Sequence, residues 1–331
     1  MRTPSVTCPI GRDVRQAAAA LRRGGLVAFP TETVYGLGAD ALATEAVAQI
    51  FAVKDRPRFD PLIVHISEPD RLAELVTVVP DRANRLIERF WPGPLTIVLP
   101  KTAVVPDLVT SGLPTVAVRI PDHPLALNLL CAADRPIAAP SANRFGCLSP
   151  TRADHVAEQL GTRIDYILEG GPCRVGLEST VLDLSGDSPT LLRPGGLTVE
   201  QLEAVIGPIA VPPREDAAQP NSPPSPKPAS PGLLSRHYAP TTPLSVTDDC
   251  RPGNPSERIG LLTLRPIPDP ASFAAVEILS ATGDLTEAAA NFFAALRRLD
   301  ARALDRILAA PFPPDGLGRA LNDRLDRAAH D

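Results

Sequence analysis

Leu26-Val-Ala-Phe-Pro-Thr-Glu-Thr-Val-Tyr-Gly-Leu-Gly-Ala-Asp40 is the stretch on which the reading of this chain turns. Four apolar residues make a short buried strand. Beyond Pro30 come hydroxyls, one carboxylate and two glycines, a loop composition suited to a site rather than a core. Downstream, Lys54-Asp-Arg-Pro57 and Ala139-Pro-Ser-Ala-Asn143 offer the cations, hydroxyl and amide that would complete a phosphate-handling pocket. Lysine is used sparingly: of 33 Lys and Arg residues, only Lys54, Lys101 and Lys227 are lysines. Gly36-Leu-Gly-Ala-Asp-Ala41 fits the GxGxxA pattern, but a dinucleotide fingerprint needs its first glycine directly at the strand end, and here a loop intervenes. There is no GxxxxGK[ST] loop for phosphates and no Gly-x-Ser-x-Gly elbow for a nucleophilic serine.

Composition bounds the rest. With 331 residues, 44% apolar and 21% charged, the chain can bury at least one sizeable core and has room for two domains. A net charge of -5 gives no bulk attraction to nucleic acid or anionic lipid, so any such contact needs a local patch. Cys8, Cys131, Cys147, Cys173 and Cys250 are odd in number and form no CxxC, which fits a reducing, cytoplasmic setting without structural zinc. His65, His123 and His155 lack metal-ligand spacing. The N-terminal residues lack a signal-peptide apolar region, and no window approaches about 18 uninterrupted apolar residues, so no membrane association is expected.

Hydrophobic periodicity fails between Pro208 and Pro231, where Pro, Ser, Ala and charge prevail. Such a segment buries too little to offset its ordering entropy and reads as a semi-extended linker. The expected division is 1–207, a linker at 208–240, and a second domain at 241–331. In the first, Asp13 to Arg23 reads as a helix stopped by Gly24-Gly25, and Thr44 to Val53 as a helix capped by Thr44. Leu62 to Ile66, Leu95 to Leu99, Thr115 to Arg119, Tyr166 to Leu168 and Thr180 to Leu184 read as strands. Helices are expected at Arg82 to Phe90, at Leu125 to Ala132, and from a Thr151 cap to Leu160; Thr198 to Gln201 has the form of a capping box. Beyond the linker, strands at Arg258 to Leu264 and Val276 to Leu279, a helix over Asp284 to Leu299 and a closing helix after Gly316 suggest a small doubly wound α/β unit.

Taken singly, the candidate residues have ordinary explanations. Lys54 and Arg56 complement the negative end of a helix, Arg119 ends a strand, and Ser141 and Asn143 cap a turn. Arg56-Pro57 nevertheless forces extended backbone straight after the helix, which aims these side chains off its end.

Together they are more specific. Phe29-Pro-Thr-Glu-Thr-Val-Tyr-Gly-Leu37, Lys54-Asp-Arg-Pro57, Pro61-Leu-Ile-Val-His65, Trp91-Pro-Gly-Pro-Leu-Thr96, Thr115-Val-Ala-Val-Arg119, Ala138-Ala-Pro-Ser-Ala-Asn143, Ser149-Pro-Thr151, Glu178-Ser-Thr180 and Leu192-Arg-Pro194 span most of the first 205 residues. Arg236-His-Tyr-Ala-Pro240 and Gly316-Leu-Gly-Arg319 extend the pattern past the linker. This run resembles the threonylcarbamoyl-adenylate synthase family in its long form, a YrdC-like domain followed by a second domain. The resemblance implies an α/β fold: a YrdC-like twisted mixed sheet with helices, then a small Rossmann-like C-terminal domain. It implies that L-threonine, bicarbonate or CO2, and ATP are joined to threonylcarbamoyl-AMP and pyrophosphate, and that the product passes to the machinery that modifies tRNA.

Carried over by matching position, Lys54, Arg56, Ser141 and Asn143 form the family's catalytic set. Thr33, His65, Arg119, Ala139 and Ser179 match threonine-binding positions, with Arg119 suited to the carboxylate. Arg56, Asp60, Thr115, Ser141, Ser149, Arg193, Arg236, His237 and Tyr238 match positions near ATP. Mg2+ is expected to bridge the phosphates with few protein ligands. Asp60 stands where the family commonly has asparagine, and the Gly232 to Arg236 segment lacks a lysine commonly found before His-Tyr-Ala-Pro. The Arg236 to Tyr238 segment is expected to close over the nucleotide. A competing reading takes the first domain as a non-catalytic double-stranded RNA or tRNA-binding module. A third, a hydrogenase-maturation carbamoyl transferase, calls for acylphosphatase-like and cysteine-rich zinc segments that this chain lacks.

Overall fold

The computed structural model describes residues 8–212, 238–251 and 256–329. The first unit runs β1 (Ile10–Gly11), α1 (Val14–Arg22), β2 (Val27–Phe29), β3 (Gly36–Asp40), α2 (Thr44–Lys54), β4 (Ile63–His65), α3 (Leu72–Leu75), α4 (Asp81–Phe90), β5 (Leu95–Pro100), α5 (Asp107–Thr110), β6 (Thr115–Arg119), α6 (Pro124–Ala133), β7 (Ile137–Ala138), α7 (Ala153–Leu160), β8 (Tyr166–Leu168), β9 (Thr180–Asp183), β10 (Thr190–Arg193) and α8 (Val199–Ile206). Its strands form one 10-stranded mixed sheet in the order β1-β8-β2-β3-β7-β4-β6-β5-β9-β10. Alternation along β2 sends Ala28 into the larger core, and Val27 and Phe29 to the opposite face beneath α1 and α6. Helices thus cover both faces, and the site loops gather where strand ends meet.

Gly36 to Asp40 is a strand rather than the loop its glycines suggest. It pairs antiparallel with β2, Phe29 opposite Gly36 and Val27 opposite Gly38. A Cβ on Gly38 would lie 2.9 Å from the Phe29 ring and 2.8 Å from Ile137. The two glycines therefore make room for the Phe29 ring. Two expected caps differ. Ala43, not Thr44, occupies the N-cap of α2, and Arg152, not Thr151, that of α7. The capping box at Thr198 and Gln201 is formed. The sheet of the first unit extends a little past the expected end at 207, since Leu191 N–H donates to the Ala210 carbonyl.

The second unit comprises β11 (Leu244–Val246), β12 (Ile259–Thr263), β13 (Ala275–Ile278), α9 (Leu285–Asp300), β14 (Arg306–Ala309) and α10 (Leu317–Ala328). Its four strands are all parallel, ordered β11-β14-β12-β13. Both helices lie on the face that carries Leu262 and Ile307, while loop residues such as Ile267 and Phe273 cover the face of Leu261 and Leu308. The two units share a core: Val34, Leu148 and Leu177 of the first pack with Phe292, Phe293 and Leu325 of the second. Gly176 shows how close they come. It adopts φ +75°, and a Cβ there would sit 2.3 Å from the Ala289 carbonyl oxygen on α9. No helix among the described residues is long and apolar enough to cross a membrane, and the five cysteines are unbridged.

Candidate active site

The hairpin loop between β2 and β3 is shaped by its own hydroxyls. Thr31 Oγ1 accepts from the backbone N–H groups of Thr33 and Val34, each at 3.2 Å, and donates to the Val34 carbonyl at 2.6 Å. This turn aims Thr33 at the C-terminal end of β6. There Arg119, 3% exposed, donates from Nη1 to Thr33 Oγ1 at 2.9 Å and from Nε to the Gly93 carbonyl at 3.1 Å. Its Nη2 pairs with Glu32 at 2.6 Å. His65, on neighbouring β4, sits opposite Arg119 in the parallel register and edge-on to Phe29. Burial, then the Arg119 charge, pull its pKa down to about 3, so the imidazole stays neutral and its Nδ1 is buried without a partner.

A second wall is built from β9 and β10. Ser179 Oγ lies 2.7 Å from Thr96 Oγ1, and Arg193 donates to the Ser179 carbonyl from Nε at 3.2 Å and Nη2 at 2.9 Å. Opposite them, Arg56 leaves the end of α2, where Asp55 in the left-handed region turns the chain. Its Nε donates to the Asp60 carbonyl at 3.2 Å, its Nη2 to the Pro61 carbonyl at 3.0 Å, and Nη2 also pairs with the Asp60 carboxylate at 2.8 Å. Asp60 is fully buried, and burial raises its pKa against the opposing pull of Arg56, Lys54 and Arg193. Its carboxylate is therefore engaged with Arg56.

Thr33, Arg56, His65, Arg119, Ala139, Ser141, Ser179, Arg193 and Tyr238 line one cleft. Lys54 and Asn143 stand behind its wall. Lys54 is 1% exposed, and its ammonium donates to the carbonyls of Ser141, at 2.6 Å, and Asn143. Burial and the Arg56 charge push its pKa well down. Asn143 Nδ2 donates to the Arg144 and Cys147 carbonyls. Lys54 and Asn143 thus hold the 141–147 loop, which brings Ser141 to the cleft. Ser149 also lies behind it, donating to Glu178 at 2.5 Å. Thr115 is not among the lining residues: it begins β6, paired with Pro100, four residues and so about 13 Å from Arg119 along the strand. Arg236 and His237 lie outside the described residues. Tyr238 has φ +62°, is 1% exposed, and rests 5.6 Å from the Phe293 ring on α9.

A family model described as Telomere recombination, for the Sua5, YciO and YrdC proteins, matches residues 19–195. A second, described as Threonylcarbamoyl-AMP synthase, C-terminal domain, matches residues 197–330. The threonylcarbamoyl-AMP synthase of Bacillus subtilis is 46% identical over 96% of this chain and 92% of its own length. The chain belongs to the threonylcarbamoyl-AMP synthase family. The crystal structure of Pyrococcus abyssi Sua5 complexed with L-threonine superposes with a TM-score of 0.87 at 42% identity, covering 97% of both chains. A form of that protein with a histidine and the adjacent tyrosine replaced by alanine superposes at 0.86, with 41% identity and coverage of 98% and 96%. Membership makes the chain an enzyme of this synthase family rather than a passive RNA-binding module, and its long-form architecture matches along nearly its whole length.

Two further carboxylates shape this family site, Glu32 and Glu178, which the sequence offers only as members of longer motifs. Both are buried and pair with arginines, Glu32 with Arg119 and Glu178 with Arg324. Each stands next to a flagged hydroxyl, but which residues they would meet is a tertiary matter that no local spacing encodes. Thr31, Gly36, Ile63 and Pro140 also line the cleft. Among the described residues no group of three His, Cys, Asp or Glu side chains is arranged to hold a metal. Glu32, Asp60 and Glu178 are each committed to an arginine.

Proposed function

We propose that this cleft joins L-threonine, CO2 or bicarbonate, and ATP to give threonylcarbamoyl-AMP and pyrophosphate. The observation that carries the reading is a buried arginine, Arg119, that offers a Thr33 hydroxyl beside it and faces a cleft whose other walls hold Arg56 and Arg193. The guanidinium of Arg119 suits a carboxylate, and the charges of Arg56 and Arg193 suit a polyphosphate, because a guanidinium stays protonated. Threonine is bound in the P. abyssi relative of similar structure, which supports threonine as a substrate.

In the proposed chemistry the threonine amine adds to CO2 to form a carbamate and releases a proton. A carbamate oxygen attacks the α-phosphorus, and the bond from that phosphorus to the α,β-bridging oxygen breaks to free pyrophosphate. No protein nucleophile is needed. The protein contributes alignment of an unstable anion and stabilisation of the displaced charge. Arg119, Thr33 and Ser179 orient threonine, with Ala139 and a neutral His65 forming the wall beside it. Arg56, Ser141 and Arg193 face the phosphates, and Tyr238 offers a ring to the nucleotide. Lys54 and Asn143 act by fixing the loop of Ser141, and Ser149 acts through Glu178. Asp60 serves to hold Arg56. The divalent ion, Mg2+ in this reading, arrives as a companion of ATP, held chiefly by phosphate and water. The product would feed tRNA modification, in the cytoplasm.

The test is a reaction with ATP, threonine and bicarbonate, followed for pyrophosphate and for an AMP adduct of threonylcarbamoyl mass. Both cosubstrates should be required for pyrophosphate release. Cleavage to ADP, or turnover indifferent to threonine, would exclude the synthase assignment.

A further inference from the structure

Arg324 is the largest fully buried side chain among the described residues, yet it comes from α10 of the second unit and reaches across the seam toward the cleft. Its Nε donates to Glu178 Oε2 at 2.7 Å, and its Nη2 to the Pro194 carbonyl at 2.9 Å. Its Nη1 pairs with Asp323, which also meets Arg327. The guanidinium carbon lies 5.1 Å from the centre of the Tyr238 ring. Glu178 in turn accepts from Ser149 at its other oxygen, Oε1. One guanidinium thus fixes a carboxylate, a hydroxyl beyond it, and an aromatic face. Glu178 and Tyr238 both line the cleft.

A seam needs no such device for stability alone. Apolar residues of similar volume often stabilise as well as or better than a buried ion pair, and this same seam already has an apolar cluster around Phe292 and Phe293. What the arginine adds is orientation, because its rigid fork and flat face can satisfy carboxylate, carbonyl and ring at once.

We propose that Arg324 is a positioning residue for the nucleotide, so that the C-terminal unit completes the active site of the first. Through Glu178 it sets the Ser149 hydroxyl, and by lying against Tyr238 it holds that ring flat to the cleft. This rests on the synthase reading above, in which that end of the cleft takes ATP.

The experiment uses the full chain and measures pyrophosphate release with ATP varied at saturating threonine and bicarbonate, then with threonine varied at saturating ATP. Arg324→Lys keeps the charge and loses the fork. It should raise the KM for ATP by about tenfold while the KM for threonine moves by less than about threefold. Ser149→Ala should give the same split, and the double variant should be no worse than the poorer single one, because both act through one carboxylate. Tyr238→Leu should raise the KM for ATP, and Tyr238→Phe should restore it. An unchanged KM for ATP in Arg324→Lys, or additive effects in the double variant, would overturn the proposal. Should Arg324→Lys fail to fold, normal ATP kinetics in both Ser149→Ala and Tyr238→Leu would overturn it equally. A wild-type chain with no threonine-dependent pyrophosphate release would instead reject the underlying synthase reading.

Discussion

Arg119 shows how a single residue couples local geometry to specificity. Three of its contacts, to Thr33, Gly93 and Glu32, are made without substrate, so its orientation is set in advance. Arg119→Ala is expected to raise the KM for threonine by roughly tenfold or more, the scale of a lost charged hydrogen bond, and to change that for ATP far less. Steady-state kinetics with each substrate varied checks this, and equal effects on both would remove Arg119 from the threonine end. Its ring neighbour makes a pH prediction. The folded pKa of His65 is about 3, below the 6.5 of an exposed histidine, so below pH 6.5 the unfolded chain binds a proton that the folded chain refuses. Its contribution is present in full above 6.5 and is lost as pH falls, at about 1.4 kcal/mol per pH unit. Urea unfolding below about pH 6 should show a slope that contains this contribution beside that of His155, whose pKa burial lowers to about 4, and His65→Gln should reduce it by about 1.4 kcal/mol per pH unit; identical slopes would place His65 in a solvated setting. The sequence named this histidine and this arginine. It did not disclose Glu32, because a carboxylate in a polar loop is ordinary until tertiary structure buries it against a cation.

At the scale of elements, alternating β-branched runs were legible: Thr115–Arg119 is a strand over the expected residues, and the expected helices at α1, α4, α6 and α9 form with ends shifted by a residue or so. Gly36–Asp40 was illegible as a strand because glycine has low strand preference, and only the Phe29 ring facing it explains the composition. Short strands such as β1 and β14 carry too few residues to show a period. Lys54 was legible as a cation aimed off the end of α2, but its two bonds to the carbonyls of the 141–147 loop were not, because those partners are set by tertiary structure. Lys54→Met should therefore lower kcat by about 2–4 kcal/mol of transition-state stabilisation, and also speed hydrogen exchange in residues 141–147. Lost activity with unchanged exchange would argue for direct phosphate contact instead. Gly176→Ala tests the docking of the second unit. A left-handed φ and the approach of Ala289 together should cost about 1–3 kcal/mol in thermal or denaturant unfolding. A neutral substitution would mean that α9 is not held against that loop.

The whole molecule is two units with one seam, and the cleft lies beside it. Val34, Leu148 and Leu177 of the first unit are covered by the second, so a chain ending at residue 212 would expose them and lose Arg324 from Glu178. Such a truncation is expected to bind threonine, whose proposed contacts lie in the first unit, while its pyrophosphate release falls by about tenfold or more. Calorimetry with threonine alone, alongside turnover, separates the two effects. That the chain has two α/β units was readable from the loss of hydrophobic period after residue 207; that they share a core was not, because the apolar residues at the seam look like any others in sequence. The central claim is the reaction itself. Mass spectrometry of the full chain incubated with ATP, threonine and 13C-labelled bicarbonate tests it most directly: an AMP adduct carrying threonine and one labelled carbon, formed together with pyrophosphate, is the predicted result, and AMP or ADP released without a labelled adduct would contradict it.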